Sequence, residues 1–200
     1  MQTDDADSLV VRIHRGPVLH CWDHFVIGLR AEAGEETTLS LYAIVYSPTL
    51  GSGHVAFLDV ADGPVLAWED VPGLGSRMQA RFQDIDLAGR TVEAAVESAR
   101  FERHPMTSEG FGFSVRSAGS TLEARWTSPE PAFWTEGPAP TFWEREDIWA
   151  CFIDAPEAEI RLNERMLPGS AFEDDRWRPK LGRLLSSAHV ALSEVRVTPA

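Results

Sequence analysis

The chain has 200 residues, 44% of them hydrophobic and 10% aromatic, a composition that supports one soluble domain with a sizeable core and excludes disorder for the bulk of it. Acidic residues outnumber basic ones by 31 to 18, a formal charge of −13, and Lys180 is the only lysine. The arginines are scattered singly, so duplex nucleic acid and anionic membranes, both held by clustered cations, are excluded as partners.

Residues 1–8 are acidic and polar, without the basic and apolar regions of a signal peptide, and no run approaches 18 apolar residues. They read as a disordered tail before a single β domain over 9–200, with the cytoplasm as the expected compartment. Short apolar runs rich in β-branched and aromatic residues then read as strands at Val10–His14, Trp22–Leu29, Leu39–Tyr46, His54–Val60 and Val65–Trp68. Gly75–Ile85 alternates Met78, Ala80 and Phe82 against Arg77, Gln79 and Arg81, which predicts another strand. Thr91–Phe101 fits helical and strand spacing about equally; its hairpin-rich neighbours favour a strand. Phe111–Arg116 and Leu122–Trp126 flank the turn residues Gly119 and Ser120. A stiff crossing with four prolines, Pro129–Pro140, leads to strands at Ile148–Ile153 and Ala158–Leu162, with a turn at Asn163-Glu164. Ser170–Leu185 reads as a loop holding one helical turn, and His189–Val197 as the last strand. The expected fold is all-β, about nine or ten antiparallel strands in a barrel or sandwich, with a lipocalin-like barrel favoured.

Familiar cofactor signatures, a GxSxG elbow, GxGxxG, a Walker lysine and HExxH, are missing, so no cofactor is expected. His20 and His24 share a strand face but stand roughly 13 Å apart at strand rise, too far to bind one ion, and Cys21 and Cys151 lie in no ligand spacing; no metal is expected either. His104 ends a strand as an exposed turn histidine or a proton shuttle. Ser187 and His189 share a face without an evident orienting acid.

The richest stretch is Phe133–Trp149. Strand alternation there puts Trp143, Arg145, Asp147, Trp149 and Cys151 on one face, so that Asp147 lies between two indoles. A carboxyl buried in such surroundings holds its proton toward neutral pH and suits general acid catalysis; an arginine partner would make it structural instead. Glu144, Asp23 and Glu194 are the candidate partner carboxylates, with Glu69 behind them. Trp22, Trp68, Trp126, Trp134, Trp143 and Trp149 supply aromatic surface for an apolar pocket or for the core.

FWTEGPAPTFW, DIWACF, AEIRLNERMLPG and SSAHVALSEVRV together resemble the lipocalin-like fold group of hydroxyneurosporene synthase (carotenoid 1,2-hydratase) and related isoprenoid or polyketide cyclases. Members of that group often carry two tandem barrels, whereas this chain has room for one. The resemblance implies a barrel around a small hydrophobic ligand and an aromatic-flanked acid that protonates an alkene or steers a cyclisation. The expected function is therefore a cofactor-independent lyase, hydratase or cyclase. The alternatives are a non-catalytic carrier of a hydrophobic ligand and, behind it, a Trp-faced glycan-binding sandwich. The residues leave the oligomeric state open, a homodimer included.

Overall fold

The computed structural model describes residues 18–61, 63–81, 95–137 and 146–197. The predicted tail, the predicted strand at 10–14 and residues 138–140 of the proline-rich crossing lie outside them. In chain order the strands are β1 (Val18–Arg30), β2 (Glu36–Tyr46), β3 (Gly53–Asp59), β4 (Val65–Glu69), β5 (Val96–His104), β6 (Gly110–Ser117) and β7 (Thr121–Thr127). There follow β8 (Phe133–Gly137), β9 (Glu146–Asp154), β10 (Glu157–Leu162), β11 (Arg165–Met166), β12 (Glu173–Asp174), β13 (Leu185–Ser186) and β14 (Ala188–Val197). Two helices, α1 (Leu74–Arg81) and α2 (Arg178–Leu181), complete the described elements.

Twelve strands form one sheet in the order β11-β10-β7-β6-β5-β4-β3-β2-β1-β14-β9-β8, while β12 and β13 make a separate ribbon. The fold is all-β as expected, but the favoured barrel is not formed, because β11 and β8 remain as edges. Nor is the sheet wholly antiparallel, since β4 and β5 run parallel. Fourteen strands rather than nine or ten are present among the described residues, three of them only two residues long.

Instead of closing, the sheet folds back, so that β5, β6, β7 and β10 pack over one face of β1–β4 and β14. Phe25, Ile27, Leu29, Leu39, Leu41 and Leu58 meet Phe111, Phe113, Val115, Leu122, Trp126 and Ile160 in this interface. The rings of Phe25 and Phe113 stand edge to face at 4.8 Å, and Trp126 Nε1 donates to the Val26 carbonyl at 2.8 Å, tying the layers together. The opposite face of the central strands is also buried, under α1, the 47–50 turn and the 172–186 segment; Trp22, Tyr42, Phe57, Met78, Phe152 and Leu185 belong to that second cluster. Burial on both faces is why β1 and β2 read as unbroken apolar runs rather than alternating ones.

The predicted strand at 75–85 is, over its described part, helix α1. Leu74 and Met78, one turn apart, are both buried, whereas Ser76, Arg77 and Ala80 are exposed, a helical and not an alternating pattern. Glu69 starts the helix: its carboxylate accepts the Gly73 and Gly75 N–H groups, each at 2.7 Å, and so is a cap rather than a free acid. The disputed segment forms β5 from Val96 onward; its first residues, 91–94, lie outside the described ones. Among the described residues no helix is long and apolar enough to cross a membrane.

Candidate functional site

The predicted acids Asp23 and Glu194 fall on the face of β1 and β14 that carries Phe25. Cys21 pairs in register with Glu194, which pairs with Trp149 on the next strand; Asp23 pairs with Leu192, and Leu192 with Cys151. Asp23, Glu194 and Trp149 thus share a strip. Both acids already hold guanidinium groups: Arg103 Nη1 lies 2.8 Å from Asp23 and Arg196 Nη2 3.0 Å from Glu194. Burial pushes the Cys21 thiol up, and the Glu194 and Asp23 charges push it further; burial alone raises Cys151. With β14 between them and a two-residue offset, the two cysteines are roughly 12 Å apart from strand geometry, beyond the reach of a disulfide. Asp147 pairs with Arg196 in the β9–β14 register, but of Asp147 only the backbone is described, and Trp143 and Glu144 lie outside the described residues.

The other tryptophans are not gathered at one place. Trp68 and Trp126 are buried in the layer interface, where Trp68 Nε1 donates to Ser120 Oγ at 2.9 Å, and Trp22 belongs to the second cluster. Trp134, on edge strand β8, is 51% exposed. Trp149 keeps a buried indole N–H with no partner among the described residues. The histidines of the HCWDH stretch serve separate serines, His20 Nδ1 at 2.8 Å from Ser47 Oγ and His24 Nε2 at 2.8 Å from Ser40 Oγ. His104 Nε2 lies 2.8 Å from Ser114 Oγ in an outer groove of about 450 Å3.

A different carboxyl, Asp154, stands out on the opposite face. It is the last residue of β9, two residues after the buried Phe152, and pairs in register with His189 of β14. The chain returns over it through residues 170–187. Ser170 bridges Arg30, and Ser187 donates its N–H to the Phe172 carbonyl and its hydroxyl to the Gly28 carbonyl, both at 2.7 Å. Gly28 permits this approach, since a Cβ there would come within 3.1 Å of the Ser187 Cβ.

Under this cover Asp154 is 6% exposed and forms part of the wall of a cleft of about 390 Å3, together with Glu130, Phe172, Glu173, Arg183 and Ser186. Its Oδ1 is buried and has no hydrogen-bond partner among the described residues. Burial pushes its pKa up and the Glu130 charge adds to this, outweighing the Ser186 backbone N–H and Arg183. Arg183 is a loose partner, with Nη2 3.9 Å from Asp154 Oδ2 and its guanidinium 4.0 Å above the Phe133 ring.

His189 lies fully buried nearby. Its Nδ1 donates to the Ser186 carbonyl at 2.8 Å, Nε2 has no partner among the described residues, and burial lowers its pKa to about 4, so the ring is neutral at physiological pH. Ser186 therefore links the two groups, its N–H toward the Asp154 carboxyl and its C=O to the His189 ring. Asp174, also buried, is pushed up by burial but held below its ordinary value by the hydrogen bonds and charge of Arg176.

The aromatic-rich stretch Phe133–Trp149 ends five residues before Asp154. Its signal was parity: Asp154 shares a face with Phe152, opposite to Trp149 and Cys151. The segment that buries it, however, comes from residues 170–187 and leaves no local trace.

No known protein family matches the chain, and no curated protein matches it significantly. One solved structure that is similar, provisionally assigned as an AttH from Nitrosomonas europaea, has 10% sequence identity and a TM-score of 0.39; the match covers 92% of this chain and 54% of that one. The chain thus spans about half the length of that protein.

Proposed function

We propose that the protein is a cofactor-independent lyase or isomerase of the hydratase or cyclase kind, with Asp154 as general acid and a small, mostly apolar molecule as substrate. One observation carries this reading: a buried carboxyl, raised in pKa by that burial, belongs to the wall of a cleft of ligand size. Asp23 and Glu194 already accept from guanidinium groups at 2.8 and 3.0 Å, whereas the arginine nearest Asp154 stands 3.9 Å away. It takes the role that the sequence suggested for Asp147.

In the proposed step the Asp154 proton passes to one carbon of a substrate double bond, whose π electrons form the new C–H bond and leave a cation at the other carbon. The Asp154 carboxylate and Glu130 stabilise that charge. Attack by water, with return of a proton to Asp154, gives a hydrate; attack by a second double bond, with loss of a proton to Asp154, gives a ring. The acid is regenerated in both cases.

A test that needs no named substrate follows. Incubation of a panel of isoprenoid alkenes with the protein in D2O should incorporate deuterium at carbon, and Asp154→Asn should abolish it while leaving the circular dichroism spectrum intact. Deuteration that survives in that variant, or an Asp154 carboxyl whose 13C resonance titrates in the ordinary aspartate range, overturns the reading. A carrier would bind the same alkenes, quenching tryptophan fluorescence, and return them undeuterated.

A further inference from the structure

We infer that the outer groove on the layer of β5, β6, β7 and β10 is an esterase site for uncharged esters of short carboxylic acids. Ser114 is its nucleophile, His104 the general base, and Arg125 the cation that meets the developing oxyanion. The groove lies apart from the Asp154 cleft and owes nothing to the acid chemistry proposed there.

Alternation along β6 sends Phe111 and Phe113 into the layer interface and leaves Gly110, Gly112 and Ser114 on the outside. Register sets the neighbours of that outer row. Gly112 pairs with His104 of β5 and Arg125 of β7, and Ser114 with Glu102 and Glu123. Ser114 is thus the diagonal neighbour of both His104 and Arg125, a spacing that long side chains bridge. Between those two, at 112, there is no side chain: a Cβ there would stand 2.8 Å from the Ala124 carbonyl oxygen, so backbone forms the floor. The result is the groove of about 450 Å3, whose wall includes His104, Ser114 and Arg125.

His20–Ser47, His24–Ser40 and His104–Ser114 are all pairs at 2.8 Å. The first two imidazoles are buried, whereas His104 is exposed and its pair borders the groove. Ser114 is 4% exposed yet part of the wall, so little water competes with the imidazole for its hydroxyl. Arg125 is exposed and forms no hydrogen bond or ion pair among the described residues, which leaves its charge for a ligand.

In the Nδ1–H tautomer His104 Nε2 accepts the Ser114 hydroxyl proton, the arrangement that nucleophilic attack needs. Ser114 Oγ bonds to the ester carbonyl carbon as its proton passes to Nε2, and Arg125 faces the oxygen that takes up the carbonyl electrons. When that pair re-forms the carbonyl, the C–O bond to the alcohol breaks and the alcohol leaves with the proton from Nε2. Water then loses a proton to Nε2 and attacks the acyl-serine, releasing the acid and restoring Ser114. Glu109 and Glu123 in the same wall repel anionic substrates. Among the described residues no carboxylate holds the His104 ring, so the pair lacks the third member of a triad and activated esters are the fitting probes.

Reaction of the full chain with a fluorophosphonate, read by peptide mass spectrometry, tests the nucleophile; hydrolysis of p-nitrophenyl acetate and butyrate tests turnover. One phosphonyl group per chain should appear, on Ser114, and hydrolysis should begin with a burst of p-nitrophenol. Ser114→Ala should abolish the label and return hydrolysis to the buffer rate. His104→Gln should slow it about 100-fold and Arg125→Gln about tenfold, with the circular dichroism of all three variants unchanged. The unaltered chain decides even where a variant does not fold: a Ser114 that takes no label overturns the site. Hydrolysis that survives in folded Ser114→Ala or His104→Gln overturns it as well.

Discussion

On one face of β1, β14 and β9, Asp23 and Glu194 each lie against an arginine, and beyond them four strands of the folded-back sheet close an aromatic core. On the other face Asp154 and His189 lie in register under a short returning segment, each with a buried polar atom that no group among the described residues satisfies. The same strands thus carry both solutions to the problem of polar groups in a sheet buried on two sides. The layered face pairs its acids with arginines and leaves the Trp149 indole N–H unmatched among the described residues; the irregular cover leaves a carboxyl oxygen and an imidazole nitrogen so. Unpaired buried groups cost stability, and they are where a ligand has something to gain.

The largest test of this contrast sets one face against the other. Trp126→Ala in the layer interface should cost about 3–5 kcal/mol in urea denaturation, and Trp177→Ala in the returning cover no more than about half of that. Equal costs would mean that the cover is as integral to the fold as the second layer.

Next comes acid sensitivity. The folded pKa of His189, about 4, lies below its ordinary 6.5, so the folded state binds fewer protons than the unfolded one. Its contribution is whole above pH 6.5 and is lost as pH falls through 4, about 3 kcal/mol in all. Asp174, with its lowered pKa, adds a loss further down. His189→Gln should flatten the stability profile between pH 6.5 and 4; an unchanged profile would assign the acid sensitivity elsewhere.

A smaller effect of opposite sign belongs to Asp154. Its pKa is raised on folding, so stability is greatest below its ordinary 3.8 and declines as pH rises through the folded value. Asp154→Asn should therefore raise Tm by a few degrees at pH 8 and leave it unchanged at pH 3. The smallest effects are expected on the paired face, where Asp23→Asn should cost less than about 1 kcal/mol, because Arg103 is substantially exposed.

How far the sequence carried this picture depended on how local each cause was. The β6–β7 hairpin was legible from its turn residues. So was the turn after β10, where Asn163 and Glu164 both adopt positive φ and the Asn163 side chain accepts the Thr121 N–H at 2.8 Å. The loop with one helical turn before β14 was likewise readable from Pro179 and Gly182. Helix α1 was not, because over so short a stretch Leu74 and Met78 satisfy periods of two and of four alike, and only the capping by Glu69 decides. The open sheet was not legible either, since strand patterning is the same whether or not the edges meet. Asp154 escaped because its burial is made by residues some twenty positions away.

The position of β14 between β1 and β9 also bears on how the molecule comes into being. Synthesis runs from β1 onward, and β2, β3 and the β6–β7 hairpin find their partners soon after they emerge. The outer edge of β1 and the inner edge of β9 wait until nearly all of the chain is available. Without β14 the facing edges of β1 and β9 lack the strand that pairs with both, and its insertion unites β1 with β9 and brings His189 beside Asp154 in one event. The arrival of β14 thus completes the sheet and the candidate site together, so an incomplete chain has neither.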